Sequence, residues 1–186
     1  MLQIGKMQNE VFITFGMTET ISHIALKKIS GRNPDMHFNT LPGISVKADE
    51  KSCLLIEAPV LGQPELKTND VVNIISPTQF DWIGRSDNVI NSGGVKIHPE
   101  EMEQKLEADI EYPFFIGSIP DELTAEKTVM VIEGQNLQQT ETDRLKNLLE
   151  QFEKISRPKE ILFIPQFVRT ENGKIKRKET IKLLTT

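Results

Sequence analysis

Up to about residue 85, apolar side chains come in short alternating runs: NEVFITF, SHIALKKIS, GISVKAD, SCLLIEA and DVVNII, parted by Gly, Pro, Asn and Asp. Alternation of that length between turn formers predicts half-buried strands and a small β-rich unit. The pattern then changes. NVINSGGVKI predicts a hairpin turning on Gly93 and Gly94, and HPEEMEQKLEAD predicts a helix opened by a proline and early acids. Met102 and Leu106 share one face of that helix. FFIGSIPDE and KTVMVIEG read as strands. TETDRLKNLLEQF repeats Leu145, Leu148, Leu149 and Phe152 at helical spacing, and Thr140 with Asp143 resembles a capping pair. KEILFIPQF predicts one further short strand, and NGKIKRKETIKLLTT ends in a helix. There is no internal repeat, low-complexity tract or long linker. The fold class is α+β, with a β-rich segment over residues 1–85 and a compact α+β domain over residues 86–186.

Composition narrows the partners. The chain has 186 residues with 38% hydrophobic content, enough to bury a core in one domain or two small ones. Twenty-seven acidic against 22 basic residues leave a net charge of -5, which offers no basic field to nucleic acid or to an anionic membrane. Any bound anion must be held by local geometry. No apolar run approaches the ~20 residues a membrane span needs, and MLQIGKMQNE lacks a signal-peptide pattern, so a cytoplasmic protein is expected. A single cysteine, Cys53, rules out an internal disulfide and a cysteine-rich zinc site; within CLLIEAP it reads as a buried strand thiol.

Three separated clusters carry chemistry that could handle a nucleotide. Phe15-Gly16-Met17-Thr18-Glu19-Thr20 places a hydroxyl beside a carboxylate after a strand end, suited to a phosphate and its Mg²⁺. An ordinary helix cap explains the same residues. Thr68-Asn69-Asp70, with Arg85, Asp87 and Gly93-Gly94-Val95-Lys96, offers a carboxylate for ribose hydroxyls, a guanidinium fork for ribose or phosphate oxygens, and bare backbone past which a narrow ligand could slide. Turn capping at Asn69-Asp70, a surface pair between Asp87 and Arg85, and a hairpin turn at the glycines are the plain alternatives. In RTENGKIKRKE, Lys174 follows a glycine and could project its ammonium toward a carboxylate attacking an α-phosphate. A solvated basic tail is the alternative there.

Taken together, FGMTET, TND, GRSDNVINSGGVKIHPEEME, SRPKEI and RTENGKIKRKE resemble, in order and approximate spacing, consecutive signatures of the adenylate-forming family of acyl-CoA synthetases, luciferases and peptide-synthetase adenylation domains. The resemblance runs from about residue 11 to residue 178. It implies a remnant of the large AMP-binding domain over 1–85 and a mobile C-terminal domain over 86–186. It implies a ligase that joins a small carboxylic acid to CoA through an acyl-adenylate, with ATP, Mg²⁺ and CoA as ligands and no protein nucleophile. Phe15 takes the place of a tyrosine that stacks on adenine, with Gly16 and Met17 beside the nucleotide. Thr18 and Glu19 would contact phosphate and metal, Asp70 the ribose hydroxyls, and Arg85 the ribose. Asp87 falls on the hinge between an adenylation pose and a thioester-forming pose. Lys174 would reach the carboxylate and α-phosphate in the first pose; Gly93 and Gly94 would line the pantetheine passage in the second, with Lys96 a phosphate or CoA contact.

The chain departs from the family in three ways: Phe15 for tyrosine, Asn69 for the glycine of the ribose-binding motif, and no Gly-, Ser- and Thr-rich phosphate loop upstream of FGMTET. The 186 residues are therefore expected to be a piece of a longer enzyme, inactive alone. GMTETISHIAL, the short connection from LLIEAPVLG to TND, and DNVINSGGVKIHPEE look most like the compact bacterial o-succinylbenzoate-CoA ligases of menaquinone biosynthesis. His23 could face the acyl pocket or be an ordinary strand histidine. Another aryl or fatty acyl-CoA ligase is the alternative enzyme, and a non-catalytic module binding CoA or a partner protein is the alternative of a different class. A homo-oligomer is left open.

Overall fold

The computed structural model describes residues 9–59 and 62–184. The first eight residues, read above for a targeting signal, lie outside these, as do Val60 and Leu61 of the LLIEAPVLG connection and the last two threonines. Packing divides the chain into two units, one ending at Asp87 and the other beginning at Asn88. No described helix is long and apolar enough to cross a membrane.

The first unit contains strands β1 (Phe12–Gly16), β2 (His23–Lys28), β3 (Phe38–Thr40), β4 (Ser45–Ala48), β5 (Cys53–Ala58), β6 (Gln63–Ser76) and β7 (Gln79–Arg85). They form one sheet in the order β1-β2-β3-β7-β6-β5-β4, antiparallel at every pairing. Ile24, Val46, Leu54, Ile56, Val72 and Phe80 are buried together in its core. In β5, Cys53, Leu54, Leu55 and Ile56 are all buried, which is why that strand reads as a continuous apolar run rather than an alternating one. The Cys53 thiol is buried there and free.

The second unit opens with a hairpin, β8 (Ile90–Ser92) and β9 (Val95–Ile97). Its two turn residues, Gly93 and Gly94, have φ of 57° and 84°. Two successive positive φ values suit the twist of a tight hairpin and are strained for residues with a side chain, so the paired glycines are accounted for by the turn. Helix α1 (Pro99–Leu106), strands β10 (Phe114–Asp121) and β11 (Ala125–Glu133), helix α2 (Gln139–Leu149), strand β12 (Glu160–Ile164) and helix α3 (Arg177–Lys182) follow. β10 pairs antiparallel with β11, and β11 pairs parallel with β12 across the α2 connection.

Strand alternation divides this unit's core into two layers. Ile116, Met130 and Ile132 pack with Met102, Leu106, Leu145 and Leu149. Phe115, Val129 and Val131 face the other way, onto Ile164 and Phe167, with Ile181 of α3 against them. The apolar spacing of both longer helices thus corresponds to buried faces. The capping pair does not form: α2 begins at Gln139 after Gln138, so Thr140 lies inside the first turn, and the Asp143 carboxylate accepts from the Gln139 amide at 2.8 Å.

Candidate active site

The first cluster is built by an obligatory glycine and a hydroxyl-braced turn. At the end of β1 the pairing slips by a residue, and Gly16 comes opposite His23. A Cβ on Gly16 would sit 2.7 Å from both His23 Cα and the Ser22 carbonyl oxygen, so any side chain would collide with backbone. The chain then makes a single 3₁₀ turn over Thr18–Thr20. The buried Thr20 hydroxyl braces it, accepting from the Met17 N–H at 3.1 Å and lying 2.9 Å from the Met17 carbonyl and 2.7 Å from that of Ser22. The hydroxyl that braces the turn is therefore that of Thr20, leaving Thr18 and Glu19 exposed side by side. A cleft of about 410 Å³ is lined by Gly16, Met17, Thr18, Ser22 and His23. Ile21, also on its wall, holds φ of 63°, a left-handed conformation that is a genuine outlier for a β-branched residue. Phe15 is half-buried and meets Phe80 and Phe38 edge-on, with ring centroids 5.2 and 5.9 Å away.

The second cluster assembles where β6 and β7 run side by side. Asp70 and Arg85 are cross-strand partners, so Asn69-Asp70 is strand rather than turn. The Asp70 carboxylate accepts from the Trp82 indole N–H at 2.9 Å and lies 4.0 Å from the Arg85 guanidinium. Arg85 also donates to Asp87 at 2.8 Å, the pair anticipated above, and the Asn69 amide reaches the same Asp87 oxygen at 3.4 Å. Asn69, Asp70, Arg85 and Asp87 are thus brought together. Trp82 was not among the expected residues. Its signal was the need of an indole N–H for an acceptor, but only the hairpin register says that Asp70 supplies it.

The remaining residues lie in the second unit, at separate places. Gly93 and Gly94 sit at the hairpin tip, and Lys96 follows on β9. Lys96 lines a cleft of about 380 Å³ with His98, Lys105, Gln151 and Phe152; His98 Nδ1 is buried there without a hydrogen-bond partner among the described residues. Lys174 is on a different turn, which closes through an Arg169–Ile175 bridge. The Thr170 N–H donates to the Lys174 carbonyl at 2.8 Å, and the Lys174 N–H donates back to the Thr170 hydroxyl at 3.1 Å. Gly173, at φ of 78°, lets the chain reverse, and the lysine side chain stands exposed.

Three residues of α1 and α3 were also missed. The Arg177 guanidinium makes a two-pronged contact with the Glu103 carboxylate at 2.6 and 2.8 Å, and lies 3.7 Å from Glu100. Burial pushes the Glu103 carboxyl above the usual range, while the guanidinium and the Ile116 N–H pull against it. A charge run gives no sign in sequence that one of its members is half-buried against a distant carboxylate.

Among the described residues no three His, Cys, Asp or Glu side chains converge to form a metal site. One carboxylate and one hydroxyl at Glu19 and Thr18 fit a magnesium ion that arrives on nucleotide phosphates, since Mg²⁺ characteristically takes few protein ligands beside phosphate oxygens.

Comparison with known proteins gives a consistent result. No family model matches the chain. It is 29% identical to the 2-succinylbenzoate–CoA ligase of Enterococcus faecalis over 193 aligned residues, covering 89% of this chain and 39% of that protein. Among solved structures, an acyl-CoA synthetase (AMP-forming)/AMP-acid ligase II-like protein from Dyadobacter fermentans is 37% identical, with a TM-score of 0.51 over 98% of this chain and 53% of that one. The o-succinylbenzoate-CoA synthetase of Bacillus subtilis, solved with its acyl-adenylate intermediate, shares the fold at a TM-score of 0.74 and 16% identity, covering 91% of this chain and 40% of that one. The chain therefore spans well under two thirds of the length of these relatives. AMP-forming acyl-CoA synthetases, o-succinylbenzoate-CoA ligases among them, are its relatives in sequence and structure along most of its length. Its α+β architecture is that of adenylate-forming enzyme domains.

Proposed function

We propose that this chain is the C-terminal portion of an AMP-forming acid–CoA ligase acting on o-succinylbenzoate in the cytoplasm. The observation that carries this reading is the alignment of nearly the whole chain with 2-succinylbenzoate–CoA ligases. Residues 1–85 would complete the large nucleotide-binding domain and residues 86–186 would form the mobile domain.

In the first half-reaction a carboxylate oxygen of the acid bonds to the α-phosphorus of ATP, as the bond from that phosphorus to the pyrophosphate oxygen breaks. Phe15 would meet the adenine, with the Gly16-Met17 backbone beside it. Asp70, oriented by the Trp82 indole, would accept from the ribose hydroxyls, with Arg85 next to it. Thr18 would donate to phosphate. Magnesium on the nucleotide, held through Glu19 and Thr18, would neutralise phosphate charge. The Lys174 ammonium would bridge the incoming carboxylate and the α-phosphate, where negative charge is concentrated as the bond forms. In the second half-reaction the CoA sulfur bonds to the acyl carbon, AMP leaves and the thiol proton passes to solvent. Rotation about Asp87 would withdraw Lys174 and bring in Gly93-Gly94, whose bare backbone leaves room for pantetheine, with Lys96 at a CoA phosphate.

The test is thioester formation by the longer ligase, given ATP, Mg²⁺, CoA and o-succinylbenzoate, beside a Lys174→Ala variant. The variant is expected to lose roughly 10²–10³-fold in adenylation, the scale of removing one preorganised charge-stabilising donor. It should still convert preformed acyl-adenylate to thioester. Turnover of fatty or other aryl acids without o-succinylbenzoate would keep the ligase and overturn the choice of acid.

A further inference from the structure

Lys174 stands exposed where a turn closes, yet bridging a carboxylate and a phosphate demands that its ammonium arrive in one place. Precision must come from whatever holds the turn. The turn runs directly into α3: the Lys176 N–H donates to the Val168 carbonyl at 2.8 Å, and the Thr180 hydroxyl accepts from the Val168 N–H at 3.1 Å. The next residue, Arg177, is half-buried. Its guanidinium grips both oxygens of Glu103 at 2.6 and 2.8 Å, donates to the Ile116 carbonyl at 3.0 Å and lies over the Phe115 ring at 5.6 Å. Glu103 in turn accepts from the Ile116 N–H at 2.7 Å, so strand β10 is part of the same joint.

The joint continues through α1. Glu100, 6% exposed, lies with one carboxylate oxygen 3.7 Å from Arg177 and 2.5 Å from the Asn88 amide. Asn88 is the first residue of the second unit and immediately follows Asp87. Partly buried ion pairs of this kind are a weak source of net stability, because desolvation offsets much of their attraction. What a two-pronged guanidinium–carboxylate contact does supply is a fixed orientation.

We infer that Arg177 is a positioning residue: with Glu103 and Glu100 it locks the Lys174 turn to α1 and to Asn88, so that the lysine and the segment entering its unit move as one rigid piece. This rests on the assignment of Lys174 to adenylation and of Asp87 to the pivot. A lysine carried on such a piece reaches the same point each time the unit turns. A loosely attached one arrives scattered, and a misplacement of about 1 Å can cost on the order of a hundredfold in rate.

The test uses two mild variants. Arg177→Lys keeps the charge and removes the fork; Asn88→Ala cuts the joint at its other end. In the 186-residue chain, NMR is expected to show the Gly173 and Lys174 amides shifted and exchanging faster in Arg177→Lys, and the Arg177 side-chain signals shifted in Asn88→Ala, with β10–β12 still protected. Unchanged Gly173, Lys174 and Arg177 signals in the folded variants would overturn the inference. In the longer ligase, Arg177→Lys should lower adenylation kcat by roughly tenfold or more, leave the KM for ATP in place and leave thioester formation from preformed adenylate intact. Equal loss in both half-reactions would mean a merely structural role and would also overturn it. A Lys174→Ala enzyme with normal adenylation would refute the functional reading instead, while the NMR result would still decide whether the joint exists.

Discussion

Gly16 is where one added methyl group has a calculable consequence. A Cβ there meets two backbone atoms of Ser22 and His23 at 2.7 Å, and backbone cannot rotate aside as a side chain can. Gly16→Ala should therefore destabilise the first unit by about 1–3 kcal/mol, the usual cost of overpacking, read as a lower denaturant midpoint. The same close approach explains why a glycine precedes the Thr18–Glu19 turn at all. Exposed positions set by the local chain were legible in the sequence. The exposed Lys174 after a glycine is one; the adjacent hydroxyl and carboxylate of Thr18 and Glu19 are another. Residues whose task depends on a distant partner were not. Trp82 meets Asp70 across a hairpin, and Arg177 meets Glu103 across 74 positions of chain. Neither contact leaves a local trace.

At the scale of elements, periodicity served well wherever an element presents one face to one core. Leu145 and Leu149 on α2, and Met102 and Leu106 on α1, were predicted from spacing and are buried together. Strand β3, only three residues long, and β7, where Gln79, Asp81 and Arg85 interrupt the apolar positions, gave no such signal. Half of β6 was missed for a related reason: Lys67, Thr68 and Asn69 form a polar stretch ahead of DVVNII that belongs to the strand nonetheless, with Lys67 opposite Leu55. The β10–β11 hairpin carries its own prediction. The Asp121 carboxylate accepts from the Thr124 hydroxyl at 2.8 Å and from the Thr124 and Leu123 N–H groups at 3.0 and 3.2 Å. Chiefly through the Thr124 hydroxyl, these bonds hold its pKa below the ordinary value of 3.8. A depressed folded-state pKa means stability that is present above the unfolded value and lost as pH falls through the folded one. Asp121→Asn should thus be less stable than the parent chain at neutral pH, with the gap closing below about pH 4; chemical denaturation at a series of pH values measures it. A gap that widened in acid would refute the assignment.

For the whole molecule, the change of pattern near residue 85 was visible because composition shifts there from strand runs to mixed elements. Strand order was not visible. The sequence β1-β2-β3-β7-β6-β5-β4 is set by pairings such as Phe38 with Phe80, which lie far apart in the chain, and no window of residues reports them. The chain's span of 39% of its Enterococcus faecalis relative bears on what these 186 residues can do by themselves. On the proposed reading Asp70, Thr18 with Glu19, and Lys174 would serve the ribose, the phosphates and the reacting carboxylate, while more than half of that relative's length lies outside the alignment. Adenylation works by preorganised positioning and charge stabilisation, and both fall steeply when one wall of the site is missing. The isolated chain is accordingly expected to show no exchange of labelled pyrophosphate into ATP with o-succinylbenzoate present, while a version extended to the length of that relative does. Exchange by the 186-residue chain at a rate comparable to the extended enzyme would mean that Thr18, Glu19, Asp70 and Lys174 suffice for the first half-reaction, and that the rest of the relative's length is dispensable for it.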